Sequence, residues 1–295
     1  MTRPPFQTVG IMPFTLGAVL ALKTTGTIDL PVFCLSLAAI CLIMLTTYAS
    51  GEYYDLEGDV LSAGLERNQF SGGTQAIVRG MLPPRVALVT SYLAAGAAIV
   101  IGLVLQFGYH TGPWTIPLGA IGLFFGFFYS TRPIRIVERG FGEVVIGFCY
   151  GWLPVATAYY LQTSRCDPMV HWMSIPIAIT IFNVILINEF PDYPADIATA
   201  KRNLVVRFGK KPMSLLFALA QMGAVLCFPL PMLAGAPPII WAFFPFVALI
   251  GLYPARGMAT EGYKDRTKLE RMCAATIATN LIIPAFYIAG LVLKG

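Results

Sequence analysis

The sequence predicts an all-α, multi-pass membrane bundle of about nine helices, a single membrane-embedded domain over residues 1–295 with its N-terminus in the cytoplasm. Three observations lead there. Apolar residues make up 57% of the chain, charged residues 12%, and mean hydropathy is +0.71, whereas soluble domains carry roughly 25% charge. The apolar residues fall in runs near the roughly 20 residues that cross a bilayer as helix. Finally, 17 of the 20 Lys and Arg fall in alternate connecting segments, as they do when cytoplasmic loops hold the positive excess.

The first run, 8–23, is short and lacks a small-residue cleavage site, so it reads as a helix rather than a removed signal peptide. Runs 30–50, 85–107, 113–130, 141–162 and 170–190 follow. The pair 213–234 and 236–254 is divided only by Pro231 and the turn Gly235-Ala236-Pro237-Pro238, and 272–293 closes the series. A count of eight or ten stays open at the short first run and at that turn. With the N-terminus inside, only Lys23, Arg165 and Lys294 fall on the outer face, a segregation that an odd number of crossings produces. The net charge of +5 lies in short loops rather than along a stripe with interleaved aromatics, which argues against nucleic acid as a partner. Six cysteines are scattered with no C-x-x-C pair and read as packing residues. Nothing in the sequence calls for an obligate protein partner.

All acids except Asp29 and Asp167 also fall on the inner face, and topology does not account for them, since acids contribute little to orientation. Two clusters stand out. Gly51-Glu52-Tyr53-Tyr54-Asp55-Leu56-Glu57-Gly58-Asp59 follows the second run; if the helix continues there, Glu52, Asp55 and Asp59 share a face. Asn188-Glu189-Phe190-Pro191-Asp192-Tyr193-Pro194-Ala195-Asp196 ends the sixth, where Pro191 and Pro194 predict a kinked or broken segment. Like charges four apart on a helix repel, so the clusters call for a cation. Oxygen-only ligands point to Mg²⁺, which takes one or two carboxylates and completes its shell with water and phosphate oxygens. Two facing clusters would hold a diphosphate through bridging Mg²⁺, with Lys201, Arg202, Arg67 and Arg79 meeting the remaining phosphate oxygens. Lys210-Lys211 and the bases from Lys264 to Arg271 read as solvated loop charges.

These residues resemble the UbiA superfamily of intramembrane prenyltransferases, whose N-D-x-x-D-x-x-x-D and D-x-x-x-D motifs follow the second and sixth helices. The likeness covers almost the whole chain. Glu52, Asp55 and Asp59 match the first motif, and Asp192, Asp196 and Lys201-Arg202 the second. The chain departs at Gly51, where the family has Asn, at Glu52, where it has Asp, and at Asn203, where Thr or Pro is commoner. Phe70-Ser-Gly-Gly-Thr, Val78-Arg-Gly-Met-Leu-Pro-Pro, Tyr129-Ser-Thr-Arg-Pro-Ile-Arg135 and Arg139-Gly-Phe-Gly-Glu143 resemble the menaquinone branch, the 1,4-dihydroxy-2-naphthoate polyprenyltransferases.

The resemblance implies a cell-membrane enzyme with a cytoplasmic site. There a polyprenyl diphosphate gives up its prenyl group to an aromatic acceptor, with Mg²⁺ as cofactor and Asp55, Asp59, Asp192 and Asp196 as the central acids. Tyr53 and Tyr129 would line the path of the allylic cation or serve as packing. Asn188 would orient the acceptor or a phosphate, or cap its helix; Arg135 and Arg139 would hold a carboxylate or diphosphate, or anchor the loop. Other acceptors of the superfamily (4-hydroxybenzoate, chlorophyllide, haem, glycerol phosphate) remain open. An ion-coupled transporter is the rival from another class, although the middles of the predicted spans carry no Asp, Glu, Lys or Arg.

Overall fold

The computed structural model describes residues 4–64 and 76–293. Every element among them is helical: α1 (Pro4–Thr25), α2 (Leu30–Tyr54), α3 (Leu56–Ala63), α4 (Pro84–Leu103) and α5 (Thr115–Phe128), then α6 (Gly142–Gly147) and α7 (Leu153–Thr163), then α8 (Pro168–Ala198), α9 (Leu204–Phe208), α10 (Lys210–Cys227), α11 (Ile240–Ala259) and α12 (Arg266–Leu293). A π-turn at Val104–Gly108 prolongs α4, and another at Phe148–Trp152 joins α6 and α7 into one crossing. Short 3-10 turns mark several of the connections.

Eight helices among the described residues are long and apolar enough to cross a membrane. The chain is a multi-pass membrane protein. The predicted run 113–130 is the exception: α5 has 14 residues, about 21 Å at 1.5 Å per residue. It nevertheless links the two ends of the bundle. Before it, the Trp114 amide donates to the Tyr160 hydroxyl at 3.2 Å and the Ser164 hydroxyl to the Thr111 carbonyl at 3.2 Å. Beyond it, Ser130 and Arg135 reach Asp55.

Asp29 and Asp167, the two acids on the opposite end, cap helices. Asp29 accepts from the Val32 amide at 3.0 Å and Asp167 from the Met169 amide at 2.7 Å, with Pro31 and Pro168 in the first turns, where a missing N–H costs nothing.

Two sequence expectations change. The helix carrying the first acids does not run on; it ends at Tyr54, and Asp55 links it to α3. Conversely, α8 continues through Pro191 and Pro194 for 31 residues. Each proline forfeits an amide donor, but Leu186, Ile187 and Phe190 are fully enclosed against Phe217, Met258 and Met272, and this packing holds the axis. Elsewhere buried polar side chains tie helices together, as membrane helices require when no hydrophobic force separates helix from lipid. Asn183 donates to Gln221 at 2.8 Å between α8 and α10, and Asn280 to Thr180 at 2.9 Å between α12 and α8.

Candidate active site

Two hydrogen bonds bridge the break at Asp55: its own amide reaches the Gly51 carbonyl at 2.9 Å, and the Asp59 amide reaches the Asp55 carbonyl at 3.0 Å. The i to i+4 connection thus survives where the helix does not. Glu52 is buried. The Asp55 carboxylate accepts from the Ser130 hydroxyl at 2.6 Å and from Arg135 Nη2 at 3.1 Å. Arg135 sits in the left-handed region at φ 45°, a strain of about 1–2 kcal/mol for a residue with a Cβ. Its loop holds it there through the Arg135 amide on the Thr131 carbonyl and the Val137 amide on the Tyr129 carbonyl, both at 3.0 Å.

The second cluster closes against the first because α3 packs on the end of α8, with Gly58 beside Thr199. Asp196 is buried; Asn203 donates to its Oδ2 at 2.7 Å, and Lys201 Nζ lies 3.6 Å from Oδ1. Asn203 also caps α9, accepting from the Val206 amide at 2.9 Å. Lys201 stands between the clusters. Burial alone would lower the affinity of its amine for a proton, but Asp196 and Asp55, with Asp192 behind them, outweigh that and hold the ammonium well above the ordinary lysine range.

Beneath lie Glu143, buried with Oε1 accepting from the Leu204 amide at 2.8 Å, and Glu189, also buried. Asn188 Oδ1 is enclosed without a hydrogen-bond partner, and the carboxyl groups of Glu143 and Glu189 face each other. Tyr129 is within electrostatic reach of Lys201, Glu143, Glu189 and Asp55. All four buried acids among the described residues, Glu52, Glu143, Glu189 and Asp196, therefore lie at one end of the bundle.

Most of the predicted site residues converge here, with exceptions. Arg67 lies outside the described residues. Arg79 is exposed before α4 and makes no ion pair among the described residues. Tyr53 stands edge-on to Tyr54 at 5.0 Å between ring centroids. Arg139 and Arg202 line a separate recess with Arg135. Ser130 and Glu143 lie in the stretches that resemble the menaquinone branch and Asn203 is one of the departures from the family, but the sequence assigns none of them a role: Ser130 meets Asp55 across 75 residues and Glu143 the Leu204 amide across 61, while Asn203 reaches Asp196 across seven.

No three acid, His or Cys side chains among the described residues converge closely enough to cage an ion alone. The donors are oxygens on two facing elements. That arrangement fits Mg²⁺, which accepts one or two carboxylates and leaves the rest of its octahedron to water and phosphate. Next to the acids begins a cavity of about 650 Å³, from Thr47, Phe128 and Val145 to Leu105, Thr115 and Leu161, with an overwhelmingly apolar wall.

The profile of the UbiA prenyltransferase family matches residues 11–278. The chain belongs to that family. It is 28% identical over 280 residues to 1,4-dihydroxy-2-naphthoate octaprenyltransferase of Bacillus subtilis (strain 168), covering 95% of this chain and 86% of that protein. It is 25% identical to 2-carboxy-1,4-naphthoquinone phytyltransferase of Synechocystis sp., over 71% of this chain and 65% of the relative. An apo UbiA homologue from Aeropyrum pernix K1 has the same fold, with a TM-score of 0.70 at 17% identity and coverage of 100% and 99%. So does a UbiA homologue from Archaeoglobus fulgidus bound to GPP and Mg²⁺, with a TM-score of 0.65 at 14% identity and coverage of 96% and 97%. As a UbiA prenyltransferase with naphthoate prenyltransferases among its relatives, the protein is a transferase.

Proposed function

We propose that this UbiA family member transfers a polyprenyl group from an allylic diphosphate to an aromatic acceptor, 1,4-dihydroxy-2-naphthoate in menaquinone biosynthesis, at the cytoplasmic face of the membrane. The observation that carries the reading is the meeting of two acid clusters around Lys201 at the head of an apolar cavity. Naphthoate relatives and a neighbour bound to GPP and Mg²⁺ support the choice of acceptor and donor. The inner excess of Lys and Arg supports the sidedness.

Asp55, Asp59, Asp192 and Asp196, with Glu52 in the place of an aspartate, would hold Mg²⁺, which when bound neutralises charge on the leaving diphosphate. Lys201 donates to the phosphate oxygens, its own charge secured by the acids around it. As the bond from C1 to oxygen breaks, its electron pair leaves with the diphosphate. Tyr129 turns an electron-rich ring toward the allylic cation. Asn188, whose carbonyl oxygen has no partner, accepts from an acceptor hydroxyl. The acceptor ring supplies the electron pair of the new carbon–carbon bond, and its carboxylate is lost as CO2 in the overall reaction.

The test is purified protein with Mg²⁺, a labelled polyprenyl diphosphate and a panel of aromatic acceptors, with products identified by mass. A demethylmenaquinone-type product is expected. Absence of product with every acceptor would overturn the reading.

A further inference from the structure

Beside the acid clusters lies a second recess, about 750 Å³, between the loop after α5 and the loop after α8. Five guanidinium groups line it, those of Arg132, Arg135, Arg139, Arg202 and Arg207, against a single carboxylate, Glu138. That carboxylate is already committed, 2.9 Å from Arg135 Nη1. Main-chain carbonyls hold two of the others in place. Arg139 donates to the carbonyls of Ile134 and Pro133, and Arg207 donates to those of Arg202 at 2.6 Å and Glu138 at 3.2 Å. A carbonyl orients a guanidinium without neutralising it. Arg207 also folds over Gly140, whose φ of +77° and missing Cβ leave the space that its side chain fills. Arg132, Arg139, Arg202 and Arg207 are solvent-exposed, so the recess is an open cluster of oriented positive charge; Lys211, Lys264, Arg266 and Lys268 on another inner loop are instead paired with Glu261, Glu270 and Asp265.

Such an assembly is completed by an anion, and its walls say which. Pro133, Ile134, Phe141 and Ala200 supply apolar surface among the guanidinium planes. Guanidinium stacks on aromatic faces and grips carboxylates in a two-point fork, so charge and wall together suit a flat aromatic carboxylate. Arg135 belongs to both places: it lines the recess and reaches Asp55 at 3.1 Å. A ring held here would sit one side chain away from the acids.

We propose that this arginine recess captures the carboxylate of the aromatic acceptor, separately from the acid clusters that take the donor. The inference rests on the aromatic acceptor proposed above, moves Arg202 from diphosphate to acceptor binding and commits Arg139 to the carboxylate. It is tested by equilibrium binding of 1-hydroxy-2-naphthoate, without donor or Mg²⁺, to the full chain in phosphatidylcholine nanodiscs, with 1-naphthol as the uncharged control. Wild type is expected to bind the naphthoate well above the naphthol. Arg132→Gln and Arg139→Gln should each weaken naphthoate binding about tenfold or more, the effect of losing a charge-assisted hydrogen bond. Arg139→Lys should recover part of the loss, and naphthol binding and the thermal melt should not move.

Failure of wild type to prefer the naphthoate, or equal affinity in wild type and both glutamine variants, would overturn the proposal. So would variants that lose phosphatidylglycerol from mixed nanodiscs while naphthoate affinity holds, which would make the recess a lipid headgroup site. Arginine-dependent naphthoate binding without prenyl transfer to any aromatic acceptor would overturn the proposed reaction and leave the recess standing. Turnover with unchanged acceptor KM in the variants would do the reverse.

Discussion

A Cβ placed on Gly51 would lie 3.7 Å from the Ser130 hydroxyl and 3.8 Å from Asp55 Oδ2, ordinary contact distances. The position where the wider family carries Asn therefore opens onto the Asp55 carboxylate, and in this chain Ser130 provides the neutral donor there. Removing it in Ser130→Ala is expected to lower kcat/KM about tenfold, since a hydrogen bond to a charged group is worth about 1.5–3 kcal/mol. Gly51→Asn in that background should restore part of the rate, read from initial velocities in the same membranes. Asp196→Asn removes a charge that Lys201 and Asn203 are arranged around. It is expected to reduce turnover by about 10²-fold or more, the scale of losing one electrostatic contact to developing charge. Wild-type transfer in that variant, and in Asp55→Asn and Asp192→Asn, would refute the two-cluster site. The acids were legible because carboxylates at regular spacing are conspicuous beside an apolar run. The roles of Ser130, Asn203 and Glu143 were not, although all three stand in stretches that the resemblance singles out, because a hydroxyl, an amide or a lone acid acquires meaning only from what folds against it.

Among the elements, period and hydropathy gave the long helices, but the two places where local rules conflict with packing came out the other way. Asp55 interrupts a segment with no proline or other breaker beyond Gly51 and Gly58, whereas Pro191 and Pro194 sit in unbroken helix. Local propensity is a weak prior that tertiary contacts override, and Phe190 at 1% exposure is such a contact. Close helix approach is equally invisible in a sequence rich in glycine. Gly151, in the π-turn between α6 and α7, lies so near Ala178 of α8 that a Cβ would overlap its backbone atoms. Backbone cannot yield as a side chain can, so Gly151→Ala is expected to cost about 1–3 kcal/mol, seen as a lower melting temperature in detergent. Gly96→Ala on α4, with nothing within 4 Å, should be neutral or stabilising by up to about 1 kcal/mol.

For the whole molecule, burial of acids at one end separates the site from what holds the fold together. The main core gathers Leu16, Val155, Met173, Ile177, Phe228 and Tyr287 from five crossings, and none of them is an acid-cluster residue. Chelation of divalent metal is therefore expected to abolish prenyl transfer without changing the circular-dichroism spectrum or the aggregation state, and added Mg²⁺ to restore the rate. Loss of helical signal on chelation would mean that the metal is structural instead.

The cavity wall includes Tyr92, Ile99 and Phe124, which are themselves exposed on the outer surface of the bundle. A prenyl tail entering from the bilayer through that flank leaves one hydrocarbon environment for another. In water each methylene buried would add about 0.8 kcal/mol; here the exchange is nearly free, so selection by the wall must rest on shape, and affinity for the donor must come from the head group. Dissociation constants for donors of increasing chain length, measured in lipid at equal mole fraction, should then form a nearly flat series.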